Sequence, residues 1–354
     1  MLGYKKTYTL PFKFIIPSYI DEFLKKRSIT KFWVKYFKRY LYILFTGQQS
    51  LEVLKISDKH NYILWINFSA PSLGDSLMDL SSRVLLTNRK VDLVTNKKNA
   101  NLYKNDLVFS SVYSDINDLV NKNYDLVIID SYSTRSIKIK TKVAKLKPFF
   151  GMYGYFNGPE VNRVLFSFHQ MNSFIGYIKT ESEINNIAKS SLSISIDDQK
   201  HIKKLKLPIN FIAIAIGGEW DYRTYKNWRK VIEILFLKDK SLQIILLGSD
   251  NAKESEKEIL EHFSTSHLVS YVSKLTFNQT GEIIRQANVL LCCDGGLMHA
   301  ANALDTRIIP LFARLTADMQ LTKSCRSLPL FDSTNVNNIS VEDIILKYNE
   351  AANF

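Results

Sequence analysis

Residues 287–304, Ala-Asn-Val-Leu-Leu-Cys-Cys-Asp-Gly-Gly-Leu-Met-His-Ala-Ala-Asn-Ala-Leu, decide the fold. The apolar run 289–293 reads as a buried strand, and Asp294-Gly295-Gly296 stops it. Residues 297–304 then read as a helix, with Ala300, Ala301 and Ala303 where close packing on a sheet needs small side chains. A strand that feeds a helix through Gly-Gly leaves backbone N–H groups pointing out of the turn. Such a terminus attracts anions, phosphate above all. The chain returns through Arg307-Ile-Ile-Pro-Leu-Phe312 as a further strand. The prediction is a strand–helix–strand unit with a phosphate cradle at its tip.

The same alternation extends outward. Upstream, strands are predicted over 211–216, 242–247 and 267–271, and helices over 225–237, 252–263 and 278–287. A helix over 341–349 follows downstream. An earlier set begins at Tyr62, with strands over 63–68, 91–95 and 124–130 and helices over 76–86 and 162–178. Residues 138–155 read as basic and irregular, and residues 180–198 as a polar connection. Strands alternating with helices argue for parallel sheets. The expected fold class is therefore α/β, with two doubly wound domains facing a cleft and ligands outside the carboxyl ends of the strands. The boundaries are a basic extension over 1–60, one domain over 61–190, a second over 205–335 and a C-terminal helix over 336–354.

Composition narrows the partners. The chain has 354 residues, 46% of them hydrophobic, and a formal net charge of +13, so its partner is expected to be anionic. Nucleic acid, an acidic membrane surface and a phosphorylated substrate all fit. No apolar run is long enough to span a bilayer, and no secretory signal is read at the N-terminus. Cys292, Cys293 and Cys325 have no metal-type spacing, so a reducing, cytoplasmic setting is expected. Within the extension, Phe32, Trp33, Tyr36, Phe37, Tyr40, Leu41 and Leu44 recur at helical spacing, with Lys31, Lys35, Lys38 and Arg39 largely off that stripe. Two readings of this basic amphipathic helix over 30–45 stand: it lies on an anionic membrane, or its aromatic face packs on the protein's own core.

Four segments, in order, resemble glycosyltransferase family nine, the lipopolysaccharide heptosyltransferases. They are Ser72-Leu-Gly-Asp75; Ile214-Ala-Ile-Gly217 with Lys226-Asn-Trp228; residues 275–287; and Asp294-Gly-Gly-Leu-Met-His299 with Ala300-Ala301. Residues 310–318 are similar to the strand and loop that follow in the family. The likeness covers about residues 60 to 350 and leaves the extension out. It implies a GT-B fold, with acceptor bound mostly by the first domain and nucleotide sugar by the second. It also implies inverting, metal-independent transfer of heptose from ADP-heptose to the lipopolysaccharide inner core, with no cofactor beyond that donor. No Asp-x-Asp triplet or His-rich ligand cluster is present.

Candidate residues follow from that chemistry. Inverting transfer needs a base for the acceptor hydroxyl, and Asp75 is the candidate. Its competing reading is an N-cap on a helix beginning at Ser76, with Asp79 as a weaker rival base. The leaving diphosphate needs positive potential, which Gly295, Gly296 and the amides of Leu297 and Met298 can supply and Lys226 can augment. Lys226 also reads as a solvated lysine. His299 reads as a phosphate donor or as structural, and Asp294 as a sugar contact or a turn residue. Glu254 and Asp250 compete for the ribose, and Leu275 reads as an adenine contact or plain core. Arg135 reads as acceptor-binding or as solvated. Two departures from the family pattern bear on the donor sugar. Gly295 replaces the usual hydroxyl residue, and Glu219-Trp-Asp-Tyr-Arg-Thr224 lacks the usual small hydroxyls, although Thr224 and Arg223 can substitute.

The expected partners are a nucleotide-sugar donor, an anionic glycolipid acceptor and the inner face of the cytoplasmic membrane. Nucleic acid is not expected, because the basic residues are dispersed and no recognised module is present. The alternatives are a nucleotide-sugar epimerase, a dinucleotide oxidoreductase, or a non-enzymatic nucleic-acid-binding protein. The missing Gly-x-Gly-x-x-Gly after the first strand counts against the oxidoreductase.

Overall fold

Strands separated by helices return in the same direction and pair in parallel. Every registered strand pairing follows that rule. The structure, a computed structural model, describes residues 29–155 and 162–352. The first 28 residues of the expected extension lie outside the described residues. The chain divides into two units, Met1–Lys189 and Ser190–Phe354.

The first unit runs α1 (Ile29–Phe45), β1 (Tyr62–Asn67), α2 (Leu73–Asp79), β2 (Lys90–Thr95), α3 (Lys97–Tyr103), β3 (Phe109–Tyr113), β4 (Leu126–Ile129), α4 (Thr134–Ala144), β5 (Phe149–Gly151), α5 (Arg163–Phe174) and α6 (Glu181–Ile187). Its sheet order is β3-β2-β1-β4-β5. The second runs α7 (Ile196–Lys204), β6 (Ile212–Ala215), α8 (Trp228–Lys238), β7 (Ile244–Leu247), α9 (Lys253–His262), β8 (Leu268–Ser270), α10 (Phe277–Gln286), β9 (Leu290–Cys293), α11 (Gly296–Ala303), β10 (Ile308–Ala313), α12 (Ala317–Gln320), β11 (Leu330–Asp332) and α13 (Val341–Ala352). Its order is β11-β10-β9-β6-β7-β8. Strand order reverses between β1 and β4 in one sheet and between β6 and β9 in the other. Ligands of open α/β sheets sit at such switch points.

The central strands are buried on both faces, as parallel strands between helical layers must be. On one face of the second sheet, Ile212, Ile214, Leu246, Leu291 and Cys293 pack with Trp228, Val231, Ile232 and Leu235 of α8. On the other, Ala213, Ala215, Ile245, Leu247 and Cys292 pack with Ile283, Ile284, Met298 and Ala301. The two-residue period therefore sends neighbouring cysteines to opposite cores. Burial pushes the Cys292 thiol up, and the Cys293 thiol to about 12. Ile344 and Ile345 of α13 join the first of these cores.

Three expectations need correction. Residues 138–155, read as irregular, hold most of α4 and all of β5. The helix went unseen because Lys140 on it is fully buried, which breaks the polar–apolar period. Residues 180–198, read as a polar connection, do contain the boundary between the two units at Lys189/Ser190, but they also hold α6 and the start of α7. A reciprocal cap between Thr180 and Glu183 starts α6. The helix expected to begin at Ser76 begins at Leu73, because the Ser72 hydroxyl accepts from the Asp75 amide at 3.2 Å. It ends at Asp79, and a 3₁₀ turn over Ser81–Leu85 follows.

Candidate functional site

Gly217-Gly218 leaves the carboxyl end of β6, beside the end of β9 where Asp294 begins the turn into α11. A side chain at Gly217 would meet Asn251 Oδ1 at 2.6 Å. One at Gly218 would lie 2.7 Å from the Arg223 carbonyl and 3.0 Å from Thr224 Cα. The loop is folded tightly on itself there. Asn251 Nδ2 donates to the Gly218 carbonyl at 2.7 Å, which ties the end of β7 to that of β6. Thr224 Oγ1 donates to the Trp220 carbonyl at 2.9 Å, so its hydroxyl shapes the loop. Asn337, far downstream, accepts from the Lys226 amide at 2.8 Å and donates to the Thr224 carbonyl at 3.0 Å.

Helix α11 starts at this switch point without a side-chain cap. The leading amides of any helix lack intrahelical partners, so those of Gly296, Leu297 and Met298 are free to meet an anion. Gly295 is fully extended, at φ 175°, and a side chain there would come no closer than 4.0 Å to anything but its neighbours. Sterics therefore leave room at the turn, and the conformation itself does not demand glycine. Asp294 is buried behind it, paired with Arg223 Nη1 at 3.1 Å. His299 Nε2 lies 4.0 Å from Asp294 Oδ1. Its ring, 3% exposed, points into the protein beside that carboxylate. Met298 contributes only its backbone, since its side chain is core.

The remaining candidates of the second unit are Lys226, Glu254, Asp250 and Leu275. Lys226 is exposed and pairs with Asp221 at 2.8 Å. Glu254 is exposed in the first turn of α9. Its rival Asp250 pairs with Lys253 at 2.6 Å, and that partner, with Ser273, holds its carboxyl below the usual range. Leu275 is half-buried against the core face that carries Met298. No group of three or more His, Cys, Asp or Glu among the described residues could hold a metal ion.

In the first unit, Asp130 closes β4 and fixes the loop that follows β1. Its carboxylate accepts from the amides of Phe68 at 2.7 Å, Ser69 at 2.6 Å and Ser131 at 2.6 Å, and from Ser136 Oγ at 2.6 Å. That loop leads to Asp75, in the first turn of α2. Ser72 Oγ donates to Asp75 Oδ2 at 2.6 Å, and Arg163 Nη1 donates to Asp75 Oδ1 at 2.8 Å. The same guanidinium reaches the fully buried Asp79 through Nε at 2.9 Å. The two carboxylates hold Arg163 protonated, while burial pushes Asp79 up to about 6. Arg163 escaped the sequence reading. Its one signal is a cation at a helix start, where the dipole disfavours positive charge unless a carboxylate is near. Arg135, in the first turn of α4, lines a cavity of about 580 Å³ with Lys138, Phe68, Thr134, Tyr42 and Ile116.

Two doubly wound parallel sheets, the second with a helix start open to anions at its switch point, define a GT-B-like fold. The family model of Glycosyltransferase family 9 (heptosyltransferase) matches residues 155–340, and the chain belongs to that family. It is a glycosyltransferase. Its fold is similar to that of the glycosyltransferase family 9 protein from Veillonella parvula DSM 2008, at TM-score 0.71 and 12% identity, covering 84% of this chain and 99% of that one. It is also similar to E. coli ADP-heptose lipopolysaccharide heptosyltransferase II, at TM-score 0.66 and 17% identity over 82% of this chain and 98% of that one. E. coli heptosyltransferase WaaC, determined with ADP, gives TM-score 0.61 and 16% identity over the same shares. No curated protein matches the chain.

Proposed function

We propose that the protein transfers heptose, or a related sugar, from ADP-heptose to the lipopolysaccharide core or another surface glycan, with inversion at the sugar. The observation that carries this reading is the uncapped start of α11 at the β6/β9 switch point, with Asp294 and Arg223 paired behind it. Asp75 takes the proton of the acceptor hydroxyl, whose oxygen attacks the anomeric carbon. The bond from that carbon to the diphosphate oxygen breaks, and the diphosphate leaves with its electron pair. The amides of Gly295, Gly296, Leu297 and Met298 stabilise the departing charge, and Lys226 adds a full positive charge. Asp294 and Thr224 shape the pocket, His299 supports Asp294, and Glu254 and Leu275 take the ribose and adenine. In this reading the diphosphate's charge is met by amides and lysine, and no metal or cofactor is assigned.

The hydrogen bonds from Ser72 and Arg163 that hold Asp75 suit a base that must be aimed before the acceptor arrives. The cavity beside Arg135 and Lys138 suits an anionic glycolipid acceptor. The reaction is placed in the cytoplasm, at the inner face of the cytoplasmic membrane, with residues 30–45 as the contact. The test is calorimetry with ADP and ADP-heptose, followed by transfer assays on isolated acceptor lipopolysaccharide. Asp75→Ala is expected to bind donor as the wild type does and to lose about 10²- to 10⁴-fold in transfer. Loss of donor binding instead would make Asp75 a structural residue.

A further inference from the structure

Helix α1 presents two different sides. One packs on the first unit: the rings of Tyr36 and Tyr40 lie 4.6 Å and 6.5 Å from that of Tyr155, and Ile43 is buried. Tyr42 on that side walls the cavity that holds Arg135. The other side is apolar and exposed to a large extent. Val34 is 62% exposed, Phe37 52%, Leu41 42%, Leu44 44% and Phe45 82%. Their spacing makes one continuous helical stripe, and among the described residues no other element is shown packed on it. Contiguous exposed apolar surface of this kind marks an interaction site.

Charge identifies the occupant. Residues 1–45 carry ten Lys and Arg against two Asp and Glu, so this short stretch supplies +8 of the chain's net +13. Residues 29–45 contain no acid at all, and Lys35 and Lys38 are exposed beside the stripe. An apolar stripe on a helix that carries cations and no acid fits a surface that is apolar inside and anionic outside. No helix among the described residues is long and apolar enough to cross a membrane. We propose that the Val34–Phe37–Leu41–Leu44–Phe45 stripe docks flat on an anionic lipid bilayer, its apolar side chains at the acyl boundary and Lys38 at the level of the phosphates. The sequence left both readings of the stripe open; the structure packs Tyr36 and Tyr40 on the first unit and leaves Phe37, Leu41 and Leu44 exposed. The inference deepens the transferase reading by naming the contacting face, and it rests on that reading only for the purpose of the contact.

The test is co-sedimentation of the full chain with two kinds of vesicle, pure phosphatidylcholine and an equal mixture with phosphatidylglycerol. Binding is expected to the mixed vesicles only and to fall as salt rises. Phe37→Ser/Leu41→Ser is expected to lower partitioning at least about tenfold. Lys38→Glu is expected to weaken binding to the mixed vesicles. All these side chains are exposed, so the melting temperature is expected to stay at the wild-type value. Wild-type partitioning by Phe37→Ser/Leu41→Ser would overturn the proposal. So would equal binding to both vesicles, or a dimer in light scattering that Phe37→Ser dissolves. ADP binding measured on the same variants separates the two readings. If ADP binds and vesicles do not, the docking face fails and the transferase reading stands; the reverse pattern sinks the nucleotide site alone.

Discussion

Arg163 Nη1 sits 2.8 Å from Asp75 Oδ1 while Nη2 of the same guanidinium sits 2.6 Å from Asp79 Oδ1, so one cation is shared by two carboxylates. Asp79 has no exposed side-chain surface, and Arg163 is mostly buried. Removing the cation strands a carboxylate in the interior, which typically costs about 3–5 kcal/mol. Arg163→Ala is expected to lose stability of that order in urea unfolding. The double variant Arg163→Ala/Asp79→Asn is expected to recover part of it, because the stranded charge is gone. Equal losses in single and double variants would show that the pair is energetically uncoupled.

The same carboxylate predicts a pH dependence. Burial holds Asp79 at about 6 in the folded protein, above its ordinary value near 3.9. The folded state therefore binds the proton more tightly than the unfolded chain. The stabilisation this gives is complete below about pH 4 and disappears as pH rises through about 6. Wild-type stability is expected to fall across that window relative to Asp79→Asn, measured as the difference between their unfolding curves.

Lys140 shows the opposite sign at higher pH. It is fully buried, donates to Gln48 Oε1 and to the Lys145 carbonyl, and burial lowers its pKa to about 8. The penalty for burying its charge is full below about pH 8 and fades as pH approaches the ordinary lysine value near 10.4. Wild-type stability is thus expected to gain between those values, and Lys140→Met is expected to lack that slope in chemical denaturation.

Three glycines that look alike in sequence are expected to respond differently to alanine. A side chain at Gly218 collides with the Arg223 carbonyl, and one at Gly217 with Asn251. Gly218→Ala is expected to cost about 1–3 kcal/mol, the scale of forced overpacking. Gly217→Ala is expected to cost less, since only the Asn251 side chain has to move. Gly295→Ala has open space and an ordinary extended backbone, so its melting temperature is expected to match the wild type. Any loss of ADP affinity in Gly295→Ala then measures crowding of the anion by a methyl group.

Lys226 is separable from stability altogether. Its ion pair with Asp221 joins two exposed side chains, and such pairs contribute about 0–1 kcal/mol. Lys226→Ala is expected to melt as the wild type does while binding ADP about tenfold more weakly, a loss of about 1.4 kcal/mol. Unchanged ADP affinity would return Lys226 to the role of a solvated lysine.

What the sequence carried well was local. The run into Asp294-Gly295-Gly296 and the alanines after it are read within one strand and one helix, and β9 and α11 lie within a residue of expectation. The amphipathic helix over 30–45 was legible for the same reason, although periodicity could not tell which side meets the protein. Pairings across distance were not legible. Arg163 and Asp75 are 88 residues apart, and spacing carries no information about such a contact. The Asp294–Arg223 pair is of the same kind: each residue was named, yet nothing in their order joined them. Strand β5 is three residues long, too short to show an alternation.

Asn337 fixes the backbone at Thr224 and Lys226 from 113 and 111 residues downstream. The loop that carries Thr224 and Lys226 therefore takes its shape from the final tenth of the chain. Anyone grafting this unit onto a different first unit must carry everything from residue 190 through the stretch containing Asn337 as one cassette. A chimera cut at the last strand would inherit Lys226 without the side chain that holds its backbone.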